Sequence, residues 1–206
     1  MSSPITSPIT SSTFRAGALC GVLSGLLIAL PALVEAFTGE TTATSVPLGL
    51  SPAFALPLLT ALQLRQRPAT GRFAEVAHIV NLIGLGLFGS AAFASNLVLF
   101  YFDDDVVEEV LTGPTIPVLI GCAAVFAVGS ALFGAAMIRA RVFPTIPAWG
   151  FAVVLPLFAF LTGLSDSLLT IGLHILVGVI LIWLSAALWR MGREAQHATA
   201  QARVAV

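Results

Sequence analysis

The sequence predicts an all-α, polytopic membrane bundle of about six transmembrane helices, with both termini on the cytoplasmic side. Three observations predict it. The first is composition: 58% of the 206 residues are apolar and 9% are charged, with a mean hydropathy of +1.02. A soluble domain averages about 45–50% apolar and about 25% charged, so a water-soluble globule and a disordered chain are both excluded. The second is the set of apolar runs at 15–37, 47–66, 74–102, 114–138, 144–164 and 167–189, each near the roughly 20 residues that cross a hydrocarbon core. Runs of this length are helices, because strands of a closed barrel would alternate over ~10 residues. The third is the placement of arginine. All nine basic residues are Arg, and every one falls at the start of span 1, at the end of span 2 or between spans 2 and 3, between spans 4 and 5, or after span 6. The alternate loops 38–46, 103–113 and 165–166 contain none. The positive-inside rule then sets N-in and C-in in a plasma (inner) membrane.

This divides the chain into a disordered cytoplasmic tail over 1–13, a transmembrane domain over 14–192 and a cytoplasmic tail over 193–206. Residues 1–13 are polar and repeat Ser-Pro-Ile-Thr, a composition that cannot pay for ordering. Arg15 and Val34-Glu35-Ala36 also suggest a cleaved signal peptide. The apolar stretch exceeds a usual h-region, and Glu35 sits beside the cleavage position, so span 1 is read as a retained helix. The exclusive use of Arg points to a high-GC prokaryotic genome. The absence of Lys also excludes retinal and pyridoxal Schiff bases, which need a Lys amine. A net charge of -1 leaves no footprint for nucleic acid.

Span 1 carries Gly17, Gly21 and Gly25 on one face, with Cys20 and Ser24 alongside. Small residues four apart let another backbone approach closely, so this face packs a neighbouring helix or a second copy of the chain. Span 4 has a weaker echo in Gly121, Gly129, Ser130 and Gly134. Cys20 and Cys122 lie at different depths and in no metal-spacing motif, and read as small packing residues. Spans 2 and 5 hold three prolines each, at 47, 52 and 57 and at 144, 147 and 156.

Span 3 is the most informative. On a wheel of about 100° per residue, Asn96 points the same way as His78, with Glu75 near +60°, Asn81 near −60° and Gly89 near +20°. Lipid cannot satisfy such groups, so the stripe faces protein or water. Its blander reading pairs Glu75 with Arg72 and leaves His78, Asn81 and Asn96 as interhelical hydrogen bonds. Span 6 repeats the pattern, with Ser167, Thr170, Gly178 and Ser185 within about 40° of His174.

The two histidines differ in depth by about 15–20 Å at 1.5 Å per residue, which disfavours one haem between them. Glu75-Val76-Ala77-His78 matches a single Glu-x-x-His, whereas di-iron bundles need two plus two further Glu. Asp103 to Leu111 reads as a short interfacial helix with its acids outward rather than a divalent-cation loop. The halves also echo each other: Cys20 with Cys122, Pro57 with Pro156, and His78 with His174. An inverted repeat of this kind would place a site at proline-interrupted helices.

Two resemblances attach to particular residues. Gly129-Ser130-Ala131-Leu132-Phe133-Gly134 with His174 resembles the Ser and His helices of rhomboid-type serine proteases, which also have six spans. The Gly-x-Ser-Gly of that family is absent, and Ser130 and His174 fall in opposite halves of the membrane. Residues 129–150 (GSALFGAAMIRARVFPTIPAWG) resemble a helix–Arg–Pro–Trp-Gly junction of uncharacterised prokaryotic six-helix integral membrane proteins, which implies topology and no activity.

The leading functional expectation is a small permease or channel-like protein. Its substrate or proton path would use Glu75, His78, Asn81 and Asn96 facing Thr170 and His174. The alternative is a non-catalytic subunit of a membrane complex, or a homo-oligomer, joined through Gly17, Gly21 and Gly25. A haem-binding or rhomboid-like enzyme is the remote third. No metal or cofactor is expected, no catalytic residue is assigned, and the only certain partner is the lipid bilayer.

Overall fold

The computed structural model describes residues 9–162 and 167–204, with side chains over 12–162 and 167–194. It is 90% helical, with seven helices and no strand among the described residues. These are α1 (Ile9–Thr38), α2 (Thr42–Gln66), α3 (Arg72–Leu97), the short α4 (Asp104–Val110), α5 (Thr115–Ala140), α6 (Thr145–Leu161) and α7 (Leu168–Val204).

Five of them, all but α4 and α6, are long and apolar enough to cross a membrane. The fifth expected span, 144–164, is α6, which has 17 residues and reaches about 26 Å at 1.5 Å per residue. Pro144 is its N-cap, and the last residues of the expected run, 163–164, lie outside the described residues. Other boundaries shift for local reasons. Helix α1 already begins at Ile9, inside the segment expected to be a tail. Helix α7 runs on through Arg-Glu-Ala-Gln, all good helix formers. Helix α2 starts at Thr42 rather than 47, where the Thr41 N–H donates to Thr44 Oγ1 at 3.0 Å. At the far end α3 gives way to a 3₁₀ turn at Leu99–Tyr101.

The prolines do not break their helices. Helix α2 is continuous through Pro47, Pro52 and Pro57, and α6 through Pro156. Pro52 has no N–H to offer the Leu48 carbonyl. The Ser51 hydroxyl donates to that carbonyl instead, at 2.9 Å, the kind of side-chain rescue that keeps a membrane helix intact.

The six long helices form a ring. Each packs against the next in chain order, α1–α2–α3–α5–α6–α7, and α7 closes back on α1. Glycine makes the close crossings possible. A Cβ on Gly25 would stand 2.6 Å from the Gly178 carbonyl oxygen of α7, and one on Gly178 would stand 2.6 Å from that of Gly25. Between α3 and α5, a Cβ on Gly129 would stand 2.5 Å from Asn81 Cα. A Cβ on Gly17 would meet Ala61 and Pro57 of α2, and one on Gly21 would meet Leu58 of α2 and Ser185 of α7. The Gly17/Gly21/Gly25 strip is therefore consumed by helix packing inside the monomer.

The ring has two unlike ends. One carries Arg15, Arg65, Arg67, Arg72, Arg139, Arg141, Arg190 and Arg193. Here Arg15 lies 5.9 Å from the Trp189 ring and Arg139 5.2 Å from that of Phe73, cation–π contacts that tie α1 to α7 and α5 to α3. The other end carries Glu35, Glu40 and the acids of α4, which lies across it with its carboxylates exposed, as expected.

Candidate functional site: a cavity at the acidic end

Toward the arginine end the ring is filled by large side chains. Leu58, Leu62, Phe133, Met137, Phe151, Leu184 and Leu188 are each under 2% exposed. Toward the acidic end the inward positions change size. Ala55, Ala92, Ala123, Ala159, Ser24 and Ser51 line a cavity of about 860 Å³ that extends to the exposed Glu40, Phe102 and Asp104. These small residues leave room between larger lining residues such as Ile28, Leu59, Leu85 and Leu155, which do not close the space. Leu58, Phe151 and Leu181 form its floor.

Half of the expected site lies here. Helices α3 and α7 are third and sixth in the ring, so they stand across it from each other, and Asn96 of α3 and Thr170 and His174 of α7 all line the cavity. Thr170 belongs to the cap of α7. Its Oγ1 accepts from the Ser167 N–H at 2.9 Å and donates to the Ser167 carbonyl at 2.9 Å. His174 Nδ1 lies 2.8 Å from the Thr170 carbonyl oxygen. A carbonyl only accepts, so Nδ1 carries the proton and Nε2 of the neutral ring is an acceptor. Asn96 Nδ2 donates to the Ala92 carbonyl at 2.9 Å. Across the ring the Ser24 hydroxyl donates to the Ser51 carbonyl, also at 2.9 Å.

The other half of the expected set does not line the cavity. Glu75 lies at the arginine end, where its carboxylate is 3.5 Å from Arg67 and both side chains are at least half exposed. The expected partner was Arg72. The 3₁₀ turn Arg67–Ala69 folds Arg67 back over the start of α3 instead. His78 rests against Phe133, ring centroids 5.6 Å apart, and its buried Nδ1 has no hydrogen-bond partner. Asn81 is fully buried. Its Oδ1 accepts from the Ser130 hydroxyl at 3.1 Å, and its Nδ2 has no partner.

The separation of these residues bears on the remoter chemistries. Ser130 bonds Asn81 of α3, whereas His174 bonds the Thr170 carbonyl, so the Ser and His of the rhomboid resemblance are not brought together. Nor do His78 and His174 face one space. Among the described residues no three His, Cys, Asp or Glu side chains converge as for a metal ion.

Two features of the site were not sought in the sequence. One is an aromatic wall: Phe126 stacks on Phe88 at 4.8 Å, Phe88 lies 5.9 Å from Phe158, and Phe158 meets the His174 ring edge-on at 4.8 Å. All four line the cavity. Phenylalanine is as much at home facing lipid as facing inward, so a wheel of polar groups does not single these rings out. The other is a buried pair near the arginine end, where Gln66 Nε2 donates to Gln63 Oε1 at 2.8 Å. Two amides three residues apart in an apolar run are its visible sign. No protein-family model, curated protein or solved structure matches the chain, so the site is read from its own geometry.

Proposed function

We propose that the protein is a small permease-like protein of a prokaryotic plasma membrane, with its arginine end in the cytoplasm and its cavity opening on the opposite face. The observation that carries this reading is the cavity itself. Six helices ring a space of about 860 Å³ that reaches the acidic end and stops on a floor of packed Leu and Phe. That volume falls in the range of about 300–1,000 Å³ typical of small-molecule sites. Asn96, Thr170 and His174 supply polar groups across it, while the apolar wall gives a solute a favourable resting place. Glu75, His78 and Asn81, the rest of the expected path, do not line this cavity. A subunit role through Gly17, Gly21 and Gly25 is less well supported, because those residues already pack against α2 and α7.

The test is flux through the purified chain in proteoliposomes, with labelled amines, amino acids, sugars and carboxylates as probes. Uptake of at least one class above protein-free vesicles, lost on filling the cavity with Ala55→Trp, is the expected result. Uptake at the level of protein-free vesicles for every class, or uptake unaffected by Ala55→Trp, would overturn the proposal.

A further inference from the structure

Resting on the reading of the cavity as a solute site, we propose that its ligand is an organic cation bearing N–H donors, a protonated amine or guanidinium on an apolar body.

The charge lining the space is of one sign. Glu35, Glu40 and Asp104 border it, and none of the eight arginines with described side chains does. Asp103, Asp105, Glu108 and Glu109 add to the same end of the bundle. A concave, low-dielectric space lined by one sign of charge concentrates the opposite sign. An anion would meet several carboxylates there.

The uncharged polar groups carry the same preference in their hydrogen bonding. The Ser24 hydroxyl proton goes to the Ser51 carbonyl, that of Ser51 to the Leu48 carbonyl and that of Thr170 to the Ser167 carbonyl. The His174 Nδ1 proton goes to the Thr170 carbonyl. The three hydroxyls have each placed their hydrogen on backbone, so what they present is lone pairs. Carboxylates also only accept. Apart from the second Nδ2 hydrogen of Asn96, these groups offer mainly acceptors, which suits a ligand rich in donors.

The aromatic wall completes the match. Phe88, Phe126 and Phe158 present rings to the same space. Ring faces attract a cation, and the surrounding alanines take an apolar body. The ammonium or guanidinium is thus expected beside the carboxylates at the acidic end, with its hydrocarbon portion against Phe88 and Phe158.

The experiment uses the full chain in detergent at pH 7, with four probes that share a phenyl-alkyl body: 2-phenylethylammonium, its N,N,N-trimethyl analogue, 3-phenylpropanoate and 2-phenylethanol. Binding is read by titration calorimetry and by the shift of the unfolding midpoint. The proposal expects saturable binding of the primary ammonium. The trimethyl analogue, which has no N–H, should bind about tenfold or more weakly, a difference of about 1.4 kcal/mol. The carboxylate and the alcohol should give no midpoint shift. Glu35→Gln/Asp104→Asn should weaken the ammonium about tenfold or more, measured against that variant's own unliganded midpoint. Equal binding of the trimethyl analogue, tighter binding of the carboxylate or alcohol, or an ammonium affinity unchanged in the double variant would each overturn the inference. So would failure of all four probes to bind. In that case thiol labelling of Ser51→Cys separates the two readings: a reactive Cys keeps the solute site and rejects only the cation, and an unreactive one rejects both.

Discussion

Each half of the bundle holds one histidine against a run of aromatic rings. In the half nearer the arginines, His78 lies on Phe133 and Phe133 on Phe151, and Leu62, Met137, Leu184 and Leu188 fill the remaining space. In the other half, His174 lies on Phe158, Phe158 beside Phe88 and Phe88 on Phe126. There Ala55, Ala123, Ala159, Ser24 and Ser51 stand among larger residues such as Leu59, Leu85 and Leu155, and about 860 Å³ stays unfilled. The rings and the histidine are alike; the cavity half differs in placing small residues, Ser24, Ser51, Ala55, Ala123 and Ala159, at several inward positions. Polar residues alone therefore do not mark a path through this bundle. Asn96, Thr170 and His174 line the cavity, whereas His78 and Asn81 do not.

The comparison breaks most readily by truncating one ring in each half. Phe133→Ala should cost about 3–5 kcal/mol, the usual loss for a fully buried Phe. Phe88→Ala, at a wall that already borders open space, should cost less than about half of that. Unfolding of both variants in mixed micelles measures the difference, and equal losses would mean that the outer half is as tightly filled as the inner.

Filling is the converse. Ala55→Leu/Ala123→Leu adds side chains where there is room, so its stability should stay within about 1 kcal/mol of the parent. By contrast, Ala136→Leu, at a position 1% exposed, should lose about 1–3 kcal/mol through overpacking. A smaller effect reports on the sealed half alone. The Asn81–Ser130 hydrogen bond should show a coupling of about 0.6 kcal/mol in a double-mutant cycle of Asn81→Ala and Ser130→Ala, the average for such bonds in a bilayer. The smallest change is expected for Glu75→Gln, since the pair with Arg67 is exposed; it should move stability by less than about 1 kcal/mol and leave thiol reactivity inside the cavity unchanged.

The all-α bundle was legible in the apolar runs and the helix ends, and the short amphipathic α4 was legible in the alternation of Asp, Glu and Val. The candidate site was legible in part. Wheel arithmetic put Asn96 and His78 on one stripe, but eighteen residues at 1.5 Å are about 27 Å along the axis. Azimuth was right and depth decided the outcome, so Asn96 reached the cavity and His78 did not. The partner of Glu75 was missed because a 3₁₀ turn after α2 returned Arg67 to it. The cavity had no sequence signature of its own, because its lining is contributed separately by several helices. Only the closure of α7 on α1, through Gly25 and Gly178, brings those faces together.

The central claim is that one half of the ring is open to solutes and the other is sealed. Ala55 and Leu62 test it most directly, since they lie seven residues apart on one face of α2, Ala55 lining the cavity and Leu62 fully buried below its floor. In a background with Cys20 and Cys122 replaced by serine, Ala55→Cys and Leu62→Cys can each be exposed to a membrane-impermeant thiol reagent in sealed vesicles of known orientation. The account predicts that Ala55→Cys reacts from the side bearing the acidic end, and that Leu62→Cys reacts from neither side until the protein is unfolded. Equal reactivity at the two positions, or labelling of Ala55→Cys only from the arginine side, would contradict it.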